Sequence, residues 1–129
     1  HAISDAHAEM MIKVAEAIAY NKNDRHILIV ENNGAIANMQ DDAMVEVVCE
    51  LGINGPRPMR VGNIPQFNLG LLVNQVSCEK LIVDAYFENS YQKALEAFTL
   101  NRLINDAKKA RKVLDALIEA NKGMWPELR

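Results

Sequence analysis

The sequence predicts an α+β fold, a small antiparallel sheet packed with about four helices, in a single domain over residues 1–129. Three observations carry that expectation. Apolar residues recur at spacings of three and four near the N-terminus and through the second half, the period of amphipathic helices. Between those stretches lie two short runs rich in Val, Ile and Leu, bounded by Asn, Gly and Pro, which is how strands read. No strand-to-helix turn carries a glycine-rich fingerprint, so a doubly wound nucleotide-binding sheet is excluded.

Each element follows from its residues. Over 5–21, Ala8, Met11, Ile12, Ala15, Ile18 and Ala19 fall on one stripe, with Glu9, Lys13 and Glu16 outside it. Ser4 or Asp5 can cap that helix, and the side chains from Asn21 to Asp24 break it. Ile27-Leu28-Ile29-Val30 reads as a buried strand and Met44 to Leu51 as a second, joined through Gly34 and an Asn-rich loop. Gly52, Gly55, Pro56 and Pro58 predict a turn, with a short edge strand at Met59-Arg60-Val61. From Phe67 to about Glu88 a helix of about 33 Å is expected, with a kink near Ser77-Cys78. Its apolar residues run around much of the circumference between Leu71 and Phe87, which predicts burial on several sides or packing against another domain or subunit. Tyr86 and Trp125 suit either a core or such an interface. Asn89 or Ser90 caps a next helix with Tyr91, Ala94, Leu95 and Phe98. A last one runs from about Ile104 to Asn121 on Ala107, Ala110, Leu114, Leu117 and Ile118, with Gly123 as its stop.

Bulk properties narrow the function. The chain is half apolar and 24% charged, with a net charge of −3. Its Lys and Arg are spread along the sequence, which argues against nucleic-acid binding. No apolar run spans a bilayer, and the first residues lack a signal peptide's basic start and apolar block, so no membrane partner is expected. His1 in the place of an initiator Met predicts a chain cut from a longer one. Cys49 and Cys78 read as reduced, buried thiols of a cytoplasmic protein.

Few residues promise chemistry. Asn32, Asn33 and Asn38 combine donors and an acceptor that suit sugar hydroxyls, so they are the substrate-pocket candidates. The same residues equally serve turns, where Asn tolerates left-handed backbone angles. His7 and His26 have no carboxylate or second His at ligand spacing. Asp41-Asp42 reads as a cap or solvated loop. No Ser/His/Asp or Cys/His arrangement stands out, so no catalytic, cofactor-binding or metal-binding residue is assigned.

Three blocks of the sequence resemble the C-terminal region of glycoside hydrolase family 4, in particular its 6-phospho-α-glucosidases. They are His7 to Asn21 (HAEMMIKVAEAIAYN), Ile29 to Val47 (IVENNGAIANMQDDAMVEV) and Asn54 to Phe67 (NGPRPMRVGNIPQF). The stretches Val76 to Thr99 and Glu119 to Leu128 agree as well. Two departures occur. Met39-Gln40 replaces an apolar residue followed by proline, which bears on the loop before Asp41. Val48 replaces a proline, which bears on the strand after Val47.

The resemblance implies the C-terminal domain of a lactate/malate dehydrogenase-like enzyme that hydrolyses phosphorylated disaccharides by redox-elimination, outside the two-carboxylate scheme. In that chemistry NAD takes a hydride from C3 of the sugar, a divalent metal such as Mn2+ polarises the oxygens, and a base removes the C2 proton. It further implies an N-terminal NAD-binding domain as partner, a homo-oligomer, a sugar-phosphate substrate and a cytoplasmic location. The family's metal-binding Cys and His, catalytic Tyr and nucleotide loop belong to motifs absent from this sequence. Neither NAD nor Mn2+ is therefore expected on this chain alone, which is expected to be inactive by itself. Two rival readings are a non-enzymatic oligomerisation module and a small sugar-phosphate-binding regulator.

Overall fold

A computed structural model describes residues 5–104 and 106–129. The chain divides into two compact units, residues 1–65 and 66–129.

The first unit contains the sheet. Helix α1 spans Ala6–Ala19. Asp5 caps it: one carboxylate oxygen accepts from the backbone N–H of His7 at 3.0 Å and of Ala8 at 3.4 Å, satisfying donors that the first turn leaves free. Ser4, the other capping candidate, lies outside the described residues. The helix packs on the sheet through its contacts with β2, and Ala17 is its one buried residue. The side that meets the sheet is not the apolar stripe read from the sequence. Ala8, Met11, Ile12, Ala15, Ile18 and Ala19 are all exposed, and at about 100° per residue Ala17 lies roughly opposite that stripe.

Strand β1 (Asp24–Glu31) pairs antiparallel with β2 (Met44–Gly52), which pairs antiparallel with β3 (Gly55–Pro58), in the order β1-β2-β3. Leu28 lies opposite Val47 and Val30 opposite Val45. Because side chains alternate along a strand, Val45, Val47, Cys49 and Leu51 are buried on one face, beside half-buried His26, Leu28 and Val30. The other face exposes Ile27, Ile29, Met44 and Val48. β2 continues through Val48 to Gly52, so the departure at Val48 does not end the strand.

The third strand corrects the sequence reading. It is Gly55–Pro58, the stretch expected to be a turn, and not Met59-Arg60-Val61. Only Ile53 and Asn54 make the reversal between the paired residues Gly52 and Gly55, and Gly55 at φ +88° takes a backbone angle that a side chain would strain. Pro56 and Pro58 are tolerated because β3 is an edge strand, where a missing N–H need not break the ladder.

The second unit is helical. Helix α2 runs unbroken over Gln66–Glu88, through Ser77, whose hydroxyl donates to the Val73 carbonyl at 2.8 Å. Helix α3 (Tyr91–Leu100) is capped by Ser90, which accepts from the Lys93 N–H, and α4 (Ala107–Ala120) by Asp106, which accepts from the Lys109 N–H. The Asp106 cap explains why α4 begins later than its apolar period suggested. Ala85, Ala94 and Leu114 form the core, with Tyr91, Leu95, Phe98, Ile118 and Leu128 packed around it. Helix α3 packs against both α2 and α4, with the small Ala85 and Ala94 in the α2–α3 contact.

Candidate functional site: the asparagine loop

The loop between β1 and β2 is built around Asn32. This residue is fully buried, and its amide is completely engaged. The side-chain oxygen accepts from the Ile36 N–H at 2.7 Å. The side-chain nitrogen faces the carbonyls of Ile36, Met39 and Gln40 at 3.0, 3.3 and 3.1 Å. A buried amide with both ends paired holds the loop closed, and an unpaired one would be costly. The departure at Met39-Gln40 lies inside this cradle: the changed side chains leave both carbonyls on Asn32.

Asn38 fastens the loop to the segment after β3. Its nitrogen donates to the Ile64 carbonyl and its oxygen accepts from the Ile64 N–H, both at 3.0 Å. Backbone bonds beside it run from Val61 to Ala35 at 2.7 Å and from Ala37 to Gly62 at 3.0 Å. The segment 61–64 is thus stitched along the loop. That explains why Met59–Val61 looked strand-like: the Met59 N–H still bonds the Val48 carbonyl of β2 at 2.9 Å, while Val61 has already turned to the loop.

Asn33 differs from both. It is exposed, stands at φ +42°, and donates from its side chain to the Glu31 carboxylate at 3.1 Å. Gly34 follows at φ +79°. Of the three candidate amides, only that of Asn33 is presented to solvent. Asn32 and Asn38 spend theirs on backbone, the role that turn chemistry offered as the alternative.

Elsewhere the geometry offers structure more than chemistry. Cys49 and Cys78 are free and buried, and burial pushes both thiols above their ordinary range, with Glu79 adding to the effect at Cys78. His26 lies opposite Cys49 in the β1–β2 register, and its Nε2 is buried without a partner. In the helical unit an apolar cavity of about 220 Å3 is lined by Ile82, Tyr86, Phe98, Leu114, Trp125 and Leu128. Its walls supply no converging polar groups, so it has the means to hold apolar matter but not to orient a sugar.

The donor set does not fit a metal. Among the described residues no group of three or more His, Cys, Asp or Glu side chains converges. His26 and Cys49 make at most a pair. No helix among the described residues is long and apolar enough to cross a membrane.

Residues 2–104 match the profile of the family 4 glycosyl hydrolase C-terminal domain. The chain belongs to glycoside hydrolase family 4. A maltose-6'-phosphate glucosidase of Bacillus subtilis is 54% identical over 124 residues, which is 96% of this chain and 28% of that protein. The crystal structure of a 6-phospho-alpha-glucosidase from gut microorganisms, in complex with NAD and Mn2+, superposes with a TM-score of 0.96 at 84% identity, covering all of this chain and 29% of that one. A second 6-phospho-alpha-glucosidase from gut microorganisms, in complex with NAD and glucose-6-phosphate, gives a TM-score of 0.92 at 49% identity, over 95% of this chain and 28% of that one. The chain therefore spans less than a third of its family 4 relatives. The matched residues carry α1, the three strands, the asparagine loop, α2 and α3.

Proposed function

We propose that this chain is the C-terminal region of a 6-phospho-α-glucosidase that hydrolyses phosphorylated disaccharides, maltose 6'-phosphate being the expected type. The observation that carries the reading is the 54% identity to a maltose-6'-phosphate glucosidase across 96% of this chain. Supporting it is the 84% identity to a 6-phospho-alpha-glucosidase whose structure holds NAD and Mn2+. In the whole enzyme NAD would accept and return a hydride while the metal stabilises charge on the sugar oxygens. Among the described residues no group of three or more His, Cys, Asp or Glu side chains converges, which supports a partner N-terminal domain as the holder of the metal and of the NAD beside it. The protein works in the cytoplasm as a homo-oligomer. The long apolar α2, with Val83 and Phe87 at 53% and 77% exposure, supports packing against a further surface.

The role of this chain is to complete and shape the substrate pocket. Asn32 and Asn38 set the loop, and Asn33 is the amide that meets the sugar phosphate. The hydrogen-bond pattern supports this division, since the amides of Asn32 and Asn38 are bonded to backbone and Asn33 is exposed. The test is an assay of the full-length protein with a 6-phospho-α-glucoside, NAD and Mn2+. Turnover is expected there and none from the 129-residue chain, whose turnover would overturn the division of labour. Asn33→Ala in the full-length protein should raise KM severalfold with kcat little changed; an unchanged KM removes Asn33 from the pocket.

A further inference from the structure

Helix α1 is apolar on two sides and buries only one. Ala17 is fully buried and Val14 half-buried against the sheet. On the other side, Ala8, Met11, Ile12, Ala15, Ile18 and Ala19 form one continuous exposed stripe, with Met11 at 63% and Ile12 at 60% exposure. The polar groups of the helix stand aside from it: Lys13 pairs with Glu9 at 2.8 Å, and Lys22 with Glu16 at 2.6 Å. An uninterrupted apolar face of this kind marks a contact surface.

We infer that this stripe is the seat of a helix from the remainder of the longer polypeptide. The inference rests on the family reading above. The shape of the face selects the occupant: short Ala8, Ala15 and Ala19 alternate with long Met11, Ile12 and Ile18, giving the ridges and grooves into which another helix packs. The source of that helix follows from the relatives. The same fold, at a TM-score of 0.96, occurs within a chain of which it is 29%, so over two-thirds of that polypeptide is covalently available to cover α1. A tethered segment meets the stripe at an effective concentration in the millimolar range, far above that of a second copy in dilute solution. Of two equally complementary helices, a tethered one that can reach the face therefore fills it ahead of a second copy.

The test uses the full-length protein from its source genome, with photo-reactive benzoylphenylalanine at Ala15 and, as a second variant, at Met11. Each is made in light and heavy isotope forms and mixed, and irradiation follows once native mass spectrometry shows that subunits have exchanged between the two forms. The expected adduct joins the probe to a helical peptide upstream of residue 1, with both halves carrying the same isotope. Adducts of mixed isotope would place a second copy on α1 and overturn the inference. Adducts confined to residues 5–129, or none at either position while the enzyme stays active, would overturn it as well. The parent reading fails separately: a native protein of only 14.4 kDa in the source cells would remove the longer polypeptide, and the inference with it.

Discussion

Asn32 governs the loop because three carbonyl oxygens and one N–H converge on a single buried amide. Asn32→Ala should leave those groups unpaired and lower stability by roughly 3 kcal/mol. Asn32→Asp should be worse, since a carboxylate would face carbonyl oxygens with no donor. Urea unfolding of the three proteins checks the order. Tyr91 carries a different signature. Its hydroxyl donates to the Asp115 carboxylate at 2.7 Å, and this bond, helped by burial and by the nearby charge, raises the phenol above its usual range. The folded state therefore holds that proton more tightly than the unfolded chain does. The resulting stability is complete below about pH 10 and is lost as the pH rises through the folded value. Tyr91→Phe should flatten this alkaline limb. Near neutral pH it should cost no more than about 1 kcal/mol, because the pair is exposed. A series of unfolding curves from neutral to alkaline pH reads both effects, and an unchanged alkaline limb would show that the Asp115 contact is unimportant.

At the scale of elements, caps and turns carry most of what can be tested. Ser90 ends the α2–α3 connection by accepting the Lys93 N–H, so Ser90→Ala should destabilise by about 1 kcal/mol. The β2–β3 hairpin depends on two glycines for different reasons. Gly55 has open space around a Cβ but a positive φ, so Gly55→Ala costs about 1–2 kcal/mol of backbone strain. Gly52 has an ordinary φ, but a Cβ would stand 2.6 Å from Asn23 Oδ1 and 2.7 Å from Asn21 Oδ1. Since Asn21 Oδ1 also accepts from the Ile53 N–H, Gly52→Ala should loosen the tie between this hairpin and the turn after α1. Amide exchange at Ile53 should then accelerate at least tenfold, while Gly55→Ala leaves that bond intact.

For the molecule as a whole, both thiols are buried and held protonated by burial. Since the thiolate is the reactive form, Cys49 and Cys78 should resist a thiol reagent near neutral pH and react fully once the chain is unfolded. A rapid native reaction of either would contradict its burial. The two compact units, 1–65 and 66–129, each contribute a different resource. The first carries the asparagine loop and the uncovered face of α1. The second carries the apolar cavity beside Trp125 and the exposed faces of α2.

The sequence by itself determined what is local. The α1 cap at Asp5, the period of α2 to α4, the Ser90 cap and the two principal strands depend on residues close in the chain, whose spacing reports them directly. The family also was legible, because blocks such as IVENNGAIANMQDDAMVEV retain a pattern across nearly the whole chain. Tertiary structure decided what depends on distant partners. The stripe of α1 was visible as apolar, but periodicity does not say which of two apolar sides a sheet will cover. Turn residues at Gly55 to Pro58 hid an edge strand, because pairing with β2 outweighed their weak strand propensity. Asn32 and Asn33 are identical neighbours in sequence, yet one is sealed inside the loop and the other faces solvent. Only the closure of the chain around position 32, through carbonyls up to eight residues away, separates a buried scaffold amide from a solvent-exposed one.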